Sequence, residues 1–362
     1  MRKIRILVVD DSVVIRRMLT GVLSEDPQLE IAGSAANGRI ALSKIPQVNP
    51  DIVILDVEMP ELNGIETLAE LRKTYPVLPV IMYSTLTTRG AEATLDALTL
   101  GATDYVTKPS NVGSAAQGME CIRTELATKI KAICSRTTGL DLSLASMPPP
   151  RANQIHERKA IIPRRAERVD IVAIGVSTGG PNALAELIPA LPGDFPVPIV
   201  IVQHMPPIFT HLLAERLSTQ SQITVEEGAP AKAIKPAEAW VAPGDYHMVV
   251  AREGTTVRLH THQGPPENSC RPAVDVLFRS VAEVYQSHAL AIVMTGMGQD
   301  GYRGSEHIRD AGGQVLAQDE ATSVVWGMPG FVAHAGLADK VLPLGELAPE
   351  ICRRVRLGRE VV

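Results

Sequence analysis

The sequence predicts an α/β protein with two domains joined by a Pro- and Arg-rich linker, and three observations lead there. Between residues 4 and 135, short Val/Ile/Leu runs alternate with helical patterns in five βα units, which argues for a parallel sheet covered on both faces. From Ser135 to Arg168 the periodicity disappears. Beyond Asp170 the alternation resumes with different strand spacing, so the second half is no repeat of the first. A chain of 362 residues suits two domains, at roughly 100–200 residues each.

Composition narrows the function classes. Net charge is −5 and aromatics are 3%. The first argues against bulk electrostatic binding to nucleic acid or anionic membrane, and the second against base-stacking platforms. No apolar run approaches the ~20 residues that span a bilayer. The opening Met1-Arg2-Lys3 is basic and the following run apolar, but Asp10-Asp11 end that run early and no small-residue cleavage site follows. It reads as a first strand rather than a signal peptide. Cys121, Cys134, Cys270 and Cys352 lie far apart with no C-x-x-C pair, which supports neither a zinc site nor a disulfide framework. A cytoplasmic protein is expected.

In the N-terminal part the expected strands are Ile4–Val9, Glu30–Ser34, Ile52–Leu55, Val80–Tyr83 and Asp104–Val106. Helices begin near Ser12, Gly38, Gly64 and Arg89, and a last one runs from about Ala115 to Ile133. Ligands of such sheets sit at the carboxyl ends of the strands, and those ends carry chemistry. The first strand finishes in Asp10-Asp11 and the third in Asp56. Carboxylates gathered at one sheet edge repel unless a hard cation sits among them, and Mg²⁺ suits that demand. Ser84-Thr85 end the fourth strand with hydroxyls, and Lys108-Pro109 follow the fifth with a cation. The ordered set fits transfer of a phosphoryl group onto a carboxylate. Helix capping explains any one of these acids but not all of them together.

On these residues, positions 1 to about 125 resemble the receiver domain of two-component response regulators, which implies a flavodoxin-like (βα)5 fold. The resemblance implies that Asp56 accepts phosphate from a histidine kinase. It further implies that Asp11, Asp56 and the Glu58 carbonyl bind Mg²⁺ directly, with Asp10 helping through water. Ser84 would be the switch hydroxyl, Lys108 the phosphate partner and Tyr105 the aromatic that changes position. The Lys108-Pro109 bond would be cis.

The stretch 126–168 is expected to hold a helix end and then the linker. Pro148-Pro149-Pro150 and Pro163 interrupt it, and seven basic residues from Arg136 to Arg168 face only Asp141, Glu157 and Glu167. It reads as a solvated, extended tether.

The second domain, 169–357, opens on Asp170–Pro181. Ile171–Ile174 form an apolar run, glycines break it, and Pro181-Asn182-Ala183-Leu184 begins a helical pattern. Gly175-Val176-Ser177-Thr178-Gly179 satisfies G-x-S-x-G, the turn that holds a nucleophilic serine exposed between strand and helix. A serine capping the following helix is the plainer alternative. Expected strands follow at Pro198–Val202, Gln314–Ala317, Lys340–Pro343 and Ala289–Met294. Three short ones, Ala239–Ala242, His247–Ala251 and Thr256–His260, suggest antiparallel ribbons. Helical pattern covers Thr210–Ser218 and Ala273–Tyr285, the latter with core spacing at Val274, Leu277, Val281 and Val284.

His204 and Asp300 each lie just past an apolar strand, as Ser177 does. If those strands are parallel neighbours, the three side chains meet at one sheet edge. His204 would then take the Ser177 proton and Asp300 would orient the imidazolium. The order Ser, His, Asp departs from the Ser, Asp, His of lipase-like folds. His260 and His262 alternate on a strand, but no acid or cysteine cluster accompanies them as further metal ligands.

GVSTGGP, QHMPP and TGMGQDG together resemble the catalytic domain of the chemotaxis protein-glutamate methylesterases (CheB), and receiver, linker and this domain follow in that family's order. The resemblance implies hydrolysis of glutamyl methyl esters on chemoreceptor cytoplasmic domains, with release of methanol, and deamidation of certain receptor glutamines. It also implies an oxyanion donor in the Met297 N–H, and no cofactor for the esterase chemistry. An unphosphorylated receiver would cover the Ser177 site, and a phosphoryl on Asp56 would release it. A regulator with DNA-binding output would need a basic recognition helix after the linker, and none is visible. A receiver that merely drains phosphate would leave Ser177, His204 and Asp300 without purpose.

Overall fold

The computed structural model of the chain describes residues 2–108, 119–120, 122–138 and 168–359. It divides into two compact units, residues 1–142 and 143–362. The linker, Pro109 and the first part of the helix expected from Ala115 fall outside the described residues.

In the first unit the strands are β1 (Ile4–Val9), β2 (Leu29–Ala35), β3 (Ile52–Asp56), β4 (Val80–Ser84) and β5 (Asp104–Thr107). Between them run α1 (Val13–Ser24), α2 (Gly38–Val48), α3 (Gly64–Thr74) and α4 (Thr88–Thr99), and a π-helical turn, Ile122–Leu126, leads into α5 (Ala127–Thr138). The sheet is parallel throughout in the order β2-β1-β3-β4-β5. Every residue of β3 and β4 is buried, which is why these strands read as apolar runs up to their last residues, Asp56 and Ser84.

Each of the first four helices starts where a short polar residue supplies an N-cap. Ser12, Asn37, Asn63 and Thr87 accept from the N–H groups of Ile15, Ile40, Glu66 and Gly90, and truncating such a cap costs about 1 kcal/mol. Asn63 and Glu66 complete a reciprocal capping box. Helix α5 runs past Ile133 because its apolar face continues through buried Ile130, Ile133 and Cys134 and no Gly or Pro interrupts it before Gly139.

The second unit holds β6 (Ile171–Val176), α6 (Gly180–Leu187), β7 (Ile199–Gln203), α7 (Phe209–Gln220), β8 (Thr224–Glu227) and β9 (Glu238–Val241). There follow β10 (His247–Glu253), β11 (Thr256–His262), α8 (Val274–Tyr285), β12 (Ala289–Val293), α9 (Tyr302–Asp310) and β13 (Gln314–Gln318). The last elements are α10 (Met328–His334), β14 (Lys340–Leu342) and α11 (Leu344–Arg356). Seven strands form a parallel sheet in the order β14-β13-β12-β6-β7-β9-β8. Helix α8 buries Val274, Leu277, Phe278 and Val281 in the same core cluster as Ile171, Ala173, Val200 and Val202 of β6 and β7. Cutting one of these large side chains to Ala costs about 2–5 kcal/mol.

The ribbon expectation holds for two of its three strands. β10 and β11 pair antiparallel, His247 opposite His262, but β9 lies between β7 and β8 in the parallel sheet. Ala239, Trp240 and Val241 are all buried, as a strand covered on both faces requires, whereas β10 and β11 expose part of one face. Strand β8 has no counterpart among the expected strands, since its four residues TVEE carry two glutamates and only Val225 is buried. No described helix is long and apolar enough to cross a membrane.

Candidate active site and acidic pocket

Strand β6 is hydrogen-bonded to β12 on one side and β7 on the other, both parallel to it. Ser177 follows β6, His204 follows β7, and Asp300 lies in the turn after β12. The three expected residues therefore stand at the carboxyl edge of adjacent strands, where the direction of strand succession reverses. Helix α6 is capped by Gly179 at φ 75° with no side-chain cap, so the Ser177 hydroxyl is not used to cap it. The elbow is tight. A Cβ on Gly180 would lie 1.9 Å from Gln203 Oε1, and Gln203 Nε2 donates to the Ser177 carbonyl at 3.0 Å, tying the end of β7 to the turn. Ser177 N–H donates to the Thr295 carbonyl at 2.9 Å.

His204 Nε2 meets Asp300 Oδ2 at 2.8 Å. The Ser177 hydroxyl makes no hydrogen bond to His204 among the described residues; Nδ1 instead faces Cys270 Sγ at 3.6 Å. Catalytic hydrogen bonds in ligand-free sites are often long or misaligned. Met297 N–H, the expected oxyanion donor, donates to no acceptor among the described residues. Its turn is fixed by Gly296, whose carbonyl accepts from Gly327 and Met328 at 3.1 and 2.9 Å.

Sequence reasoning missed the residues that hold Asp300. The N-terminus of α8 has no side-chain cap of its own, and Asp300 supplies one from across the site. Its carboxylate accepts from Val274 N at 2.6 Å, Asp275 N at 3.0 Å and Asn268 Nδ2 at 2.9 Å. Asp275 returns the arrangement, accepting from Gly301 and Gly304 N–H at 2.9 and 2.6 Å at the start of α9. Asn268 Nδ2 bridges the two carboxylates, 2.8 Å from Asp275 Oδ2. Asn268, Cys270 and Asp275 lie in a loop and a helix start without a motif, and only their side-chain types hinted at polar work.

The charges follow from these contacts. Burial pushes the Asp300 carboxyl up, but His204 and the α8 N–H groups outweigh it and hold it below the usual range. Asp275 goes the other way, to about 6, through burial and the neighbouring Asp300 charge. Burial would depress the His204 imidazole; the Asp300 carboxylate, with Cys270 at the other nitrogen, raises it.

In the first unit Asp10, Asp11 and Asp56 offer carboxylate oxygens all within 4.8 Å of one another. They sit where β1 and β3 end side by side, at the reversal point of the 2-1-3-4-5 order. Lys108 Nζ reaches Asp56 Oδ1 at 2.7 Å and Asp10 Oδ2 at 3.1 Å. Burial raises the Asp56 carboxyl to about 6, with Lys108 opposing and Asp10 adding to the rise. For Lys108 burial works downward, and the two aspartates outweigh it and raise the ammonium. Three hard oxygen donors, two of them buried, fit Mg²⁺ in chemistry and spacing. Glu58 N–H approaches Asp56 Oδ1 at 3.4 Å, which keeps Glu58 beside the pocket. Ser84 is buried and donates to the Gly90 carbonyl at 3.0 Å. Tyr105 is buried under Lys129, whose Nζ stands 5.3 Å from the ring centre.

The profile of the CheB methylesterase family matches residues 172–351, and that of the response regulator receiver domain matches residues 6–117. A protein-glutamate methylesterase/protein-glutamine glutaminase of Trichodesmium erythraeum is 58% identical over 355 residues, 98% of this chain and all of that protein. One from a Nocardioides species is 50% identical over 98% of this chain and 96% of its own length. The crystal structure of the Thermotoga maritima CheB methylesterase catalytic domain is 42% identical, with a TM-score of 0.51, covering 52% of this chain and 99% of that one.

Proposed function

The chain belongs to the CheB methylesterase family and is a protein-glutamate methylesterase and protein-glutamine glutaminase with a response regulator receiver domain, and we propose that Ser177, His204 and Asp300 carry its hydrolytic chemistry under control of Asp56. The receiver implies a phosphodonor kinase, and the methylesterase domain implies chemoreceptor substrates. The proposed setting is the cytoplasm, with the receptors' cytoplasmic domains as substrate and a chemotaxis-type histidine kinase as donor. Residues 1–125 act as receiver, 126–168 as helix end and linker, and 169–357 as catalytic domain.

The observation that carries the catalytic reading is the convergence of Ser177, His204 and Asp300 at the ends of β6, β7 and β12. Ser177 Oγ attacks the glutamyl ester carbonyl while its proton passes to His204 Nδ1, since Nε2 is held by Asp300. Met297 N–H steadies the oxyanion, an interaction worth about 2.7–4 kcal/mol. The imidazolium returns the proton to methoxide, methanol leaves, and water hydrolyses the acyl-enzyme by the same base. With a receptor glutamine the leaving group is ammonia and the remaining steps are unchanged.

In the receiver, Asp56 is the phosphoryl acceptor. Asp11, Asp56 and the Glu58 carbonyl would hold Mg²⁺, with Asp10 through water, and the ion would supply charge neutralisation on the transferred group. Lys108 is already at the Asp56 oxygen and follows the phosphoryl charge. Ser84 leaves the Gly90 carbonyl for a phosphoryl oxygen, and Tyr105 moves with it.

A serine-directed fluorophosphonate tests the triad. The expected adduct is on Ser177, forms at a rate that collapses in His204→Ala, and abolishes methanol release. An adduct on another serine, or one indifferent to His204, would overturn the assignment.

A further inference from the structure

We propose that Cys270 is a second nucleophile served by His204, a modification site for small soft electrophiles such as peroxides, and that its oxidation takes His204 away from Ser177. The second half rests on the roles given above to Ser177 and His204.

The arrangement has the three parts of an activated nucleophile. Cys270 Sγ lies 3.6 Å from His204 Nδ1, and His204 Nε2 lies 2.8 Å from Asp300 Oδ2. A nucleophile within reach of a base, itself oriented by a third group, is the signature of covalent chemistry. Cys270 thus holds the nitrogen that the Ser177 hydroxyl needs.

The sulfur is placed by structure on both sides. Cys270 N–H donates to the Glu267 carbonyl at 2.8 Å, and Glu267 N–H donates back to the Cys270 carbonyl at 3.1 Å. Between them Asn268 and Ser269 adopt φ of 51° and 62°, the left-handed pair of a type I′ turn. Asn268 anchors that turn on Asp275 and Asp300, and the two terminal guanidinium nitrogens of Arg279 donate to the two Glu267 oxygens at 2.6 Å each. Cys270 is half-buried, open enough for a small reagent. Cys134 is buried and its thiol is pushed up to about 12 by burial. Burial also raises Cys352.

With a hydroperoxide the step balances. The sulfur attacks one peroxide oxygen, an S–O bond forms and the O–O bond breaks. The thiol proton passes to His204 Nδ1 and on to the departing oxyanion, leaving a sulfenic acid and water or an alcohol. Sulfur is oxidised by two electrons and the peroxide reduced by two. The new oxygen stands at the ring nitrogen that must receive the Ser177 proton. A thiol reductant reverses the change through a mixed disulfide.

The test treats full-length protein with hydrogen peroxide, traps sulfenic acid with dimedone, and reads each cysteine peptide by mass spectrometry. Methanol release is followed before treatment, after it, and after dithiothreitol, each variant relative to its own untreated activity. Trapping should appear at Cys270 well before Cys352, slow by about 10²-fold in His204→Ala as expected for loss of a general base, and persist in Ser177→Ala. Wild-type release should fall at least about tenfold and return with reductant, because a unit acting through one base fails as a whole; Cys270→Ser should lose less than about half of its own. Trapping at Cys270 no faster than at Cys352, or unchanged in His204→Ala, overturns the proposal, as does equal inactivation of Cys270→Ser. Methanol release surviving in Ser177→Ala would instead sink the triad and leave the trapping result intact.

Discussion

Replacing Asp300 by Asn separates the charge of the carboxylate from its shape. Oδ2 receives His204 Nε2 at 2.8 Å and Val274 N at 2.6 Å. Oδ1 receives Asn268 Nδ2, Asp275 N and Gly301 N at 2.9, 3.0 and 3.1 Å. An Asn carries a single oxygen, and three donors on the Oδ1 side hold it there. Its NH₂ then faces His204, so Nε2 must accept and the ring proton moves to Nδ1, the nitrogen needed to take the Ser177 proton. A wrong tautomer of this kind costs on the order of 10⁴ in kcat, or about 5 kcal/mol of barrier. Val274 N–H meanwhile loses its charged acceptor at the α8 N-terminus, for about 1–3 kcal/mol of stability. Methanol release from methylated receptor membranes, scanning calorimetry and a pH–rate profile read these effects. Because Asp300 raises His204, the limb on which the imidazole loses its proton should move to lower pH in the variant. An Asp300→Asn protein within about tenfold of wild type, with an unmoved pH limb, would refute the reasoning.

Two further perturbations probe the glycine turn and the acidic pocket. A Cβ on Gly296 would stand 2.8 Å from Ser177 Cβ and 2.4 Å from Met328 Sδ, so Gly296→Ala should displace both nucleophile and oxyanion turn. A loss of about 10² or more in kcat is expected, with Asp56 phosphorylation in the same molecule unchanged. Asp56 is raised from 3.8 to about 6, so the fold binds that proton more tightly than the unfolded chain does. Its ionisation therefore lowers stability as pH rises between about 4 and 6, and the deficit is complete above that window. Asp56→Asn in metal-free buffer should gain at most about 3 kcal/mol at pH 7.5 and nothing near pH 4, measured by urea unfolding; a loss of stability at pH 7.5 would contradict the pocket electrostatics.

What was legible in the sequence is what local pattern determines. Ile52–Leu55 announces itself because a strand buried on both faces carries apolar residues throughout, and Ile4–Val9 does so with Arg5 as its one polar, half-buried break. The helix starts read near Ser12, Gly38, Gly64 and Arg89 are local as well, and the structure puts caps at Ser12, Asn37, Asn63 and Thr87 whose side chains bond N–H groups three residues on. Ser177, His204 and Asp300 could be picked out because each follows such a strand, but their adjacency depended on the order β12-β6-β7, a long-range fact that no local pattern contains. Strand β9 was misplaced for the same reason, since AWV between two loops does not say which sheet it enters. The Asp275–Asn268–Asp300 bridge and the Cys270–His204 contact were invisible. They join a turn, a helix start and two strand ends, and arise only once α8 packs across the site.

The most direct measurement is methanol release from methylated receptor membranes, with and without Mg²⁺ plus a small phosphodonor, for wild type, Ser177→Ala and Asp56→Asn. Release should rise with phosphodonor in wild type, remain basal in Asp56→Asn and vanish in Ser177→Ala under every condition. Wild-type release that ignores the phosphodonor would contradict the gate, and release that survives in Ser177→Ala would contradict the catalytic assignment itself.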